Sequence, residues 1–163
     1  MTAHAPDPAL HPPDPALHRS SAADLDAATL HALLRLRVDV FVVEQECPYP
    51  EIDGRDLEPG TRHYWLTGDD GTVLATLRLL VEPGGGFRIG RVCTRLDARG
   101  RGLGHRLMTA VLDDVGGAPC VLDAQVVQEA FYARHGFVVT GEQFVEDGIP
   151  HVPMAWRPQP DPA

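Results

Sequence analysis

The spacing of apolar residues changes several times along the chain, and each change marks an element. From Ala23 onward, Leu30, Leu33, Leu34, Val38, Phe41 and Val42 recur at steps of three and four, the period of one helix face. Asp24 or Asp26 can cap its start, and Pro48 and Pro50 stop it near Gln45. After an irregular loop, residues 62–82 (RHYWLTGDDGTVLATLRLLVE) hold two apolar runs around Asp70-Gly71, a hairpin signal. A second turn, PGGG, leads to a third strand at 87–94 (FRIGRVCT). Leu103, Leu107, Val111 and Val115 then fall four apart, with Met108 and Leu112 beside them and Gly116-Gly117 as a stop, which predicts a helix. CVLDAQ (120–125) reads as a short strand with parallel neighbours, and VQEAFYARHG (127–136) as a short helix ending at Gly136. FVVTGE and HVPMAW read as two closing strands around the turn EDGIP. The order predicts one mixed α/β sheet.

Composition adds boundaries. With 44% hydrophobic residues in 163, the chain can bury the core of one domain, assigned to 21–158. Residues 1–20 differ in kind: PDPALH occurs at 6–11 and again at 13–18. The segment reads as a Pro-rich flexible tail whose last residues, 16–20, can add a short strand; 159–163 form a second tail. His4, His11 and His18 share the spacing of that repeat and belong to it rather than to a metal site. Three cysteines (Cys47, Cys93, Cys120) make neither a metal spacing nor an even set, so reduced thiols, a cytoplasmic location and no metal are expected. No apolar run reaches membrane-spanning length, and the N-terminus lacks signal-peptide features. A net charge of −9 speaks against general nucleic-acid binding.

Against that acidity, residues 88–106 carry six arginines (88, 91, 95, 99, 101 and 106) and one acid, Asp97. The glycine-rich end of this run, Arg99 to Gly104, immediately precedes the second helix. The first amides of a helix have no internal partners and lie at its positive end. Glycines let an anion approach them and permit the φ > 0 turns that make amides converge. A phosphate or pyrophosphate suits such a place; a tight turn with solvated arginines fits the stretch alone equally well. A Walker loop is excluded, since the chain has no lysine. A dinucleotide fingerprint would need glycine where His105 or Leu107 stands.

Arg99-x-x-Gly102-x-Gly104, followed by Tyr132-x-x-x-Gly136-Phe137 on the next strand and helix, resembles the GNAT superfamily of acyl-CoA-dependent N-acyltransferases. The segments LRVDVFVVEQECPYPEIDGRDLE, IGRVCT, DAQ, FYARHGF and EDGIPHVPM are similar to its ElaA-type branch over roughly residues 25–157. The resemblance implies a mostly antiparallel central sheet with helices on both faces and its middle strands, 87–94 and 120–125, splayed apart. It implies acetyl-CoA as co-substrate and a small amine as acceptor, with direct transfer in a ternary complex, and leaves a homodimer open. Arg99, Gly100, Arg101, Gly102, Leu103, Gly104 and His105 would cradle the pyrophosphate. Backbone groups of Val92, Cys93 and Thr94 would hold the pantetheine arm and thioester, and Gln128 and Tyr132 would face CoA.

Tyr132 is the candidate general acid for the leaving thiolate, because a phenol stays protonated at neutral pH. Glu44 is the candidate base, expected to be partly buried, with Glu46, Asp53, Asp56, Glu142, Glu146, Asp147 and His151 as alternatives; an amine that arrives neutral needs none. Cys93 reads as a small strand residue, and the rings of His63 and His105 carry no assigned role in the chemistry. The acids at 51–58 and 142–147 are expected to flank the acceptor entrance and to suit a cationic amine. Two other readings remain: a non-catalytic acyl-CoA sensor, and an enzyme like the acyl-homoserine-lactone synthases.

Overall fold

The computed structural model describes residues 13–158; the tail positions up to 12, His4 and His11 among them, and residues 159–163 lie outside the described residues. Strand β1 (Ala16–Ser21) precedes helix α1 (Ala27–Val38), which runs on as a π-helical turn over Asp39–Glu44. Strands β2 (Arg62–Thr67), β3 (Val73–Val81) and β4 (Phe87–Thr94) form a meander. Helix α2 (Leu103–Val115), β5 (Cys120–Gln125), the short helix α3 (Glu129–Ala133), β6 (Phe137–Val139), β7 (Phe144–Glu146) and β8 (Ile149–Trp156) complete the chain. One sheet has the order β1-β2-β3-β4-β5-β8-β6, with β7 on β8. All its pairings are antiparallel except β4 with β5, so the fold is the mostly antiparallel mixed sheet expected.

The helices cover both faces of the sheet. Asp26 caps α1 by accepting from the Thr29 amide at 2.8 Å, and Leu33, Leu36 and Val40 pack on Trp65, Val73 and Cys93. On the other face Leu103, Leu107, Met108, Val111 and Val115 of α2 meet Tyr64, Leu66, Leu77, Leu79 and Ile89. Each such buried side chain contributes about 1.5–3 kcal/mol of transfer free energy, which makes this contact the main anchor of α2.

Two details differ from the pattern-based reading. The short strand expected at 16–20 forms as β1, which pairs with β2 along its whole length, so the sheet starts inside the segment read as a tail. The closing region holds three strands, not two. All of β7 is exposed, so it lacks the apolar alternation by which strands are recognised.

Strand β4 carries the feature that shapes the site. Thr76 pairs with Cys93 and Arg78 with Gly90, so Leu77 alone opposes both Arg91 and Val92. This is a β-bulge, and Arg91 takes the left-handed φ of +55°. The bulge shifts the alternation of the strand: Ile89 and Val92 face the α2 side, whereas Cys93 faces α1. Beyond it the sheet opens. Strands β4 and β5 pair only at Phe87 with Cys120 and Arg88 with Val121, after which β5 keeps β8 as its partner and the facing edge of β4 is left free.

Candidate active site

A cleft of ≈ 1130 Å³ follows this opening. Its walls come from the end of α1, the β4 edge, the start of α2, the end of β5, α3 and the β7–β8 turn. Gly100 and Gly102 adopt φ values of +76° and +73°, a region that costs other residues roughly 1–2 kcal/mol. Gly102 caps α2 without a side-chain hydrogen bond, and the first intrahelical bond runs from the Arg106 amide to the Gly102 carbonyl. The amides of Leu103, Gly104 and His105 are therefore presented at the positive end of a thirteen-residue helix. A Cβ on Gly104 would lie 3.1 Å from the Phe131 ring, so a larger residue there would push that ring by a few tenths of an ångström. These features fit an anionic group of pyrophosphate size.

The cleft unites almost all the residues singled out in the sequence: Val92, Cys93, Thr94, Arg99, Gly100, Gly102, Leu103, Gly104, His105, Gln128, Tyr132 and Glu44 all line it. Arg101 does not line it and is exposed. Tyr132 is packed edge-on to Phe131 and Phe137, with ring centroids 5.0 and 6.3 Å away, and its hydroxyl bonds no protein group among the described residues. Burial first, and then the Cys93 sulfur, push its pKa above the ordinary phenol value, so it stays protonated. Cys93 is pushed up to about 12, chiefly by burial, and remains a thiol. The His105 ring, which has no role assigned from sequence beside that of its amide in the cradle, bonds His135 ring to ring at 2.8 Å and lies 4.7 Å from the Phe131 ring centroid.

Glu44 departs from expectation. Instead of a partly buried acid it is an exposed one, and it grips Arg99 with both oxygens, at 2.6 and 2.7 Å. That hydrogen-bonded pair lowers its pKa against a small opposing burial effect. A base working near neutrality needs the opposite shift.

The loop acids depart further. Glu51 and Asp56, both 3% exposed, are held by Arg37, which is 1% exposed. Its Nε is 2.6 Å from Glu51 Oε1 and its Nη1 is 2.5 Å from Asp56 Oδ1. Arg78 binds Asp53 at 2.8 Å and Asp56 at 3.1 Å. Arg91 Nε lies 2.8 Å from Glu51 Oε2, at an angle that makes an ion pair rather than a hydrogen bond. Tyr49 donates to the same carboxylate. Burial alone would raise the pKa of Asp56, but the Arg37 hydrogen bond and the flanking guanidinium charges outweigh it and lower it. Three arginines thus neutralise Glu51, Asp53 and Asp56, so these acids do not offer charge to an acceptor. Among the described residues the cleft acids without an ion pair are Glu146 and Asp147 at the β7–β8 turn, beside His151. Glu46 and Glu142 do not line the cleft. The signal for the cluster was present in the sequence: Arg37 and Arg78 stand inside apolar runs, LLRLRV and ATLRLLV, where a buried cation requires acids.

No described helix is long and apolar enough to cross a membrane, and no cluster of metal-ligating side chains occurs among the described residues.

Comparison with known proteins agrees with this geometry. A family model described as an acetyltransferase (GNAT) domain matches residues 37–158. A UPF0039 protein of Mycobacterium tuberculosis is 60% identical over 136 residues, covering 82% of this chain and 87% of that protein. Protein ElaA of Escherichia coli is 40% identical over 142 residues, covering 82% and 90%. The crystal structure of an acyl-CoA N-acyltransferase from Pseudomonas aeruginosa superposes with a TM-score of 0.82 at 44% identity, covering 88% of this chain and 99% of that one. With the glycine turn at the start of α2, the splayed strands and the partly buried Tyr132 in one cleft, the chain belongs to the GNAT superfamily of acyl-CoA N-acyltransferases, in its ElaA-type branch.

Proposed function

We propose that the protein acetylates a primary amine with acetyl-CoA in the reducing cytoplasm, by direct attack within a ternary complex. The observation that carries this reading is the cleft at the β4–β5 opening, which joins an anion cradle at the α2 start to a protonated, otherwise unbonded Tyr132 hydroxyl. Acyl-CoA supplies an activated thioester; the rest falls to side chains and backbone of this chain. The amides at 103–105 hold the pyrophosphate, with Arg99 beside them. The free edge of β4 at Val92–Thr94 offers backbone groups to the pantetheine arm in the manner of an added strand, and polarises the thioester carbonyl.

The acceptor, arriving as an ammonium ion, first gives one proton to water, and its nitrogen then attacks the carbonyl carbon as the neutral amine. As the C–N bond forms and the C–S bond breaks, Tyr132 gives its proton to the departing sulfur. The second N–H proton leaves to water, which also returns a proton to the Tyr132 phenolate, since the acids at 51–56 are committed to their arginines. Glu146 and Asp147, the cleft acids without an ion pair among the described residues, favour an acceptor that arrives cationic. The test is thiol release from acetyl-CoA across a panel of amines. Tyr132→Phe lowers turnover by about 10²–10⁴-fold while CoA binding, read by calorimetry, persists. Unchanged turnover removes Tyr132 from the chemistry, and CoA binding with no transfer to any amine favours a sensor.

A further inference from the structure

The Glu44–Arg99 pair has no role in the chemistry just described, yet it sits at the mouth of the anion cradle. The two side chains meet fork to fork, Oε1 to Nη1 at 2.6 Å and Oε2 to Nη2 at 2.7 Å. The third edge of the guanidinium, Nε, donates to the Thr94 carbonyl at 3.1 Å, the last residue of β4. Glu44 ends the π-helical turn. The next residue, Gln45, accepts from the Gln125 side chain at 3.1 Å, at the last residue of β5. Two residues on, Cys47 donates its thiol hydrogen to the Asp147 carbonyl at 3.3 Å. Residues 44–47 therefore span the open end of the splay, tied in turn to the β4 side, to β5 and to the β7–β8 turn. Between these ties Glu46 takes a φ of +52°, a conformation rare for a glutamate.

We propose that Glu44 is a resident anion of the cofactor site: it occupies Arg99 in the free protein, and a phosphate group of the incoming cofactor takes its place. The inference rests on reading the α2 start as the CoA pyrophosphate cradle. Three observations support the exchange. The fork geometry that suits a carboxylate suits a phosphate equally well. The pair is accessible, with side chains 39% and 36% exposed, and an exposed ion pair is weak enough to give way. A carboxylate fixed within the lining of a polyanion site also opposes the guest by charge unless it is released from that position. Glu44 is thus a positioning residue, acting through Arg99 and through the span it begins.

Calorimetric titration with CoA itself tests this on the wild type, E44Q, R99A and the double variant R99A/E44Q, at physiological ionic strength and with thermal melts to verify folding. Freeing Arg99 in E44Q tightens CoA binding by about 2- to 5-fold, the size of an exposed ion pair. R99A weakens binding, and in the R99A background the gain from E44Q falls to less than half. A purely structural role for Glu44 predicts the opposite sign, because loosening the span would weaken binding. Unchanged or weaker CoA binding by E44Q overturns the proposal, and so does an equal gain with and without Arg99, which would reduce Glu44 to a background charge. Absence of CoA binding by the wild type and all variants overturns the acyl-CoA reading itself, a result distinct from a bound CoA that ignores residue 44.

Discussion

Replacing Arg37 with methionine separates a structural role for the loop acids from a role in holding the acceptor. The Arg37 side chain is 1% exposed and donates to Glu51 Oε1 at 2.6 Å, to Asp56 Oδ1 and Oδ2 at 2.5 and 3.2 Å, and to the Glu51 carbonyl at 3.3 Å. Methionine keeps much of the buried stem and none of the donors, leaving two buried carboxylates short of a countercharge. Removing one partner of a buried ion pair costs about 3–5 kcal/mol. Here Arg78 still reaches Asp56 at 3.1 Å and Arg91 still lies 2.8 Å from Glu51, which places the loss near the lower end, about 3 kcal/mol. For a chain of 163 residues that is a drop in Tm of roughly 6–12 °C, readable by circular dichroism. Adding Asp56→Asn removes part of the orphaned charge, so the double variant is destabilised by less than the sum of the two single changes. A drop below about 2 °C, or strict additivity, would refute the view that this cluster is a coupled structural unit. Loss of amine affinity at unchanged Tm would return the loop acids to the acceptor site.

Gly104→Ala brings a Cβ to 3.1 Å from the Phe131 ring, which packs on Tyr132. The helix gains up to about 1 kcal/mol of propensity, so Tm holds or rises while the KM for acetyl-CoA rises; an unaltered KM refutes the fit argued for the cradle. His63 is 1% exposed, with its ring 3.0 Å from the Asp56 carbonyl. Burial, only partly offset by that hydrogen bond, holds its pKa below the usual value. The unfolded chain binds the proton first as pH falls, so His63's contribution is complete above about pH 6.5 and is lost below it. Urea denaturation should show a larger fall in stability between about pH 7.5 and about pH 5.5 for the wild type than for His63→Gln, and equal falls would refute this.

What the sequence disclosed and what it hid divide along the distance between interacting residues. The helices, the meander and the Arg99-to-Gly104 turn are local patterns, set by periodicity, by residues tolerant of φ > 0 and by the missing partners of a helix start, so they are readable over a dozen positions. The Glu44–Arg99 fork joins residues 55 apart and the Gln45–Gln125 bond residues 80 apart; no local pattern records them. Charge sign misleads for the same reason. EIDGRDLE looks like an acidic surface offered to a cation, but Glu51, Asp53 and Asp56 are already taken by arginines 14 to 40 residues away and Glu58 by Arg55, three residues away. The more dependable clue is where the arginines stand. A guanidinium within an apolar helix face or a buried strand cannot stay unpaired, so Arg37 and Arg78 predict buried acids more firmly than the acids predict a ligand. By that criterion Arg99 is the informative one of its cluster: it precedes a glycine turn, remains partly exposed, and has a carboxylate partner that a stronger anion can replace. The same charge that builds the core around Arg37 is, at Arg99, left exchangeable, and burial is what separates the two uses.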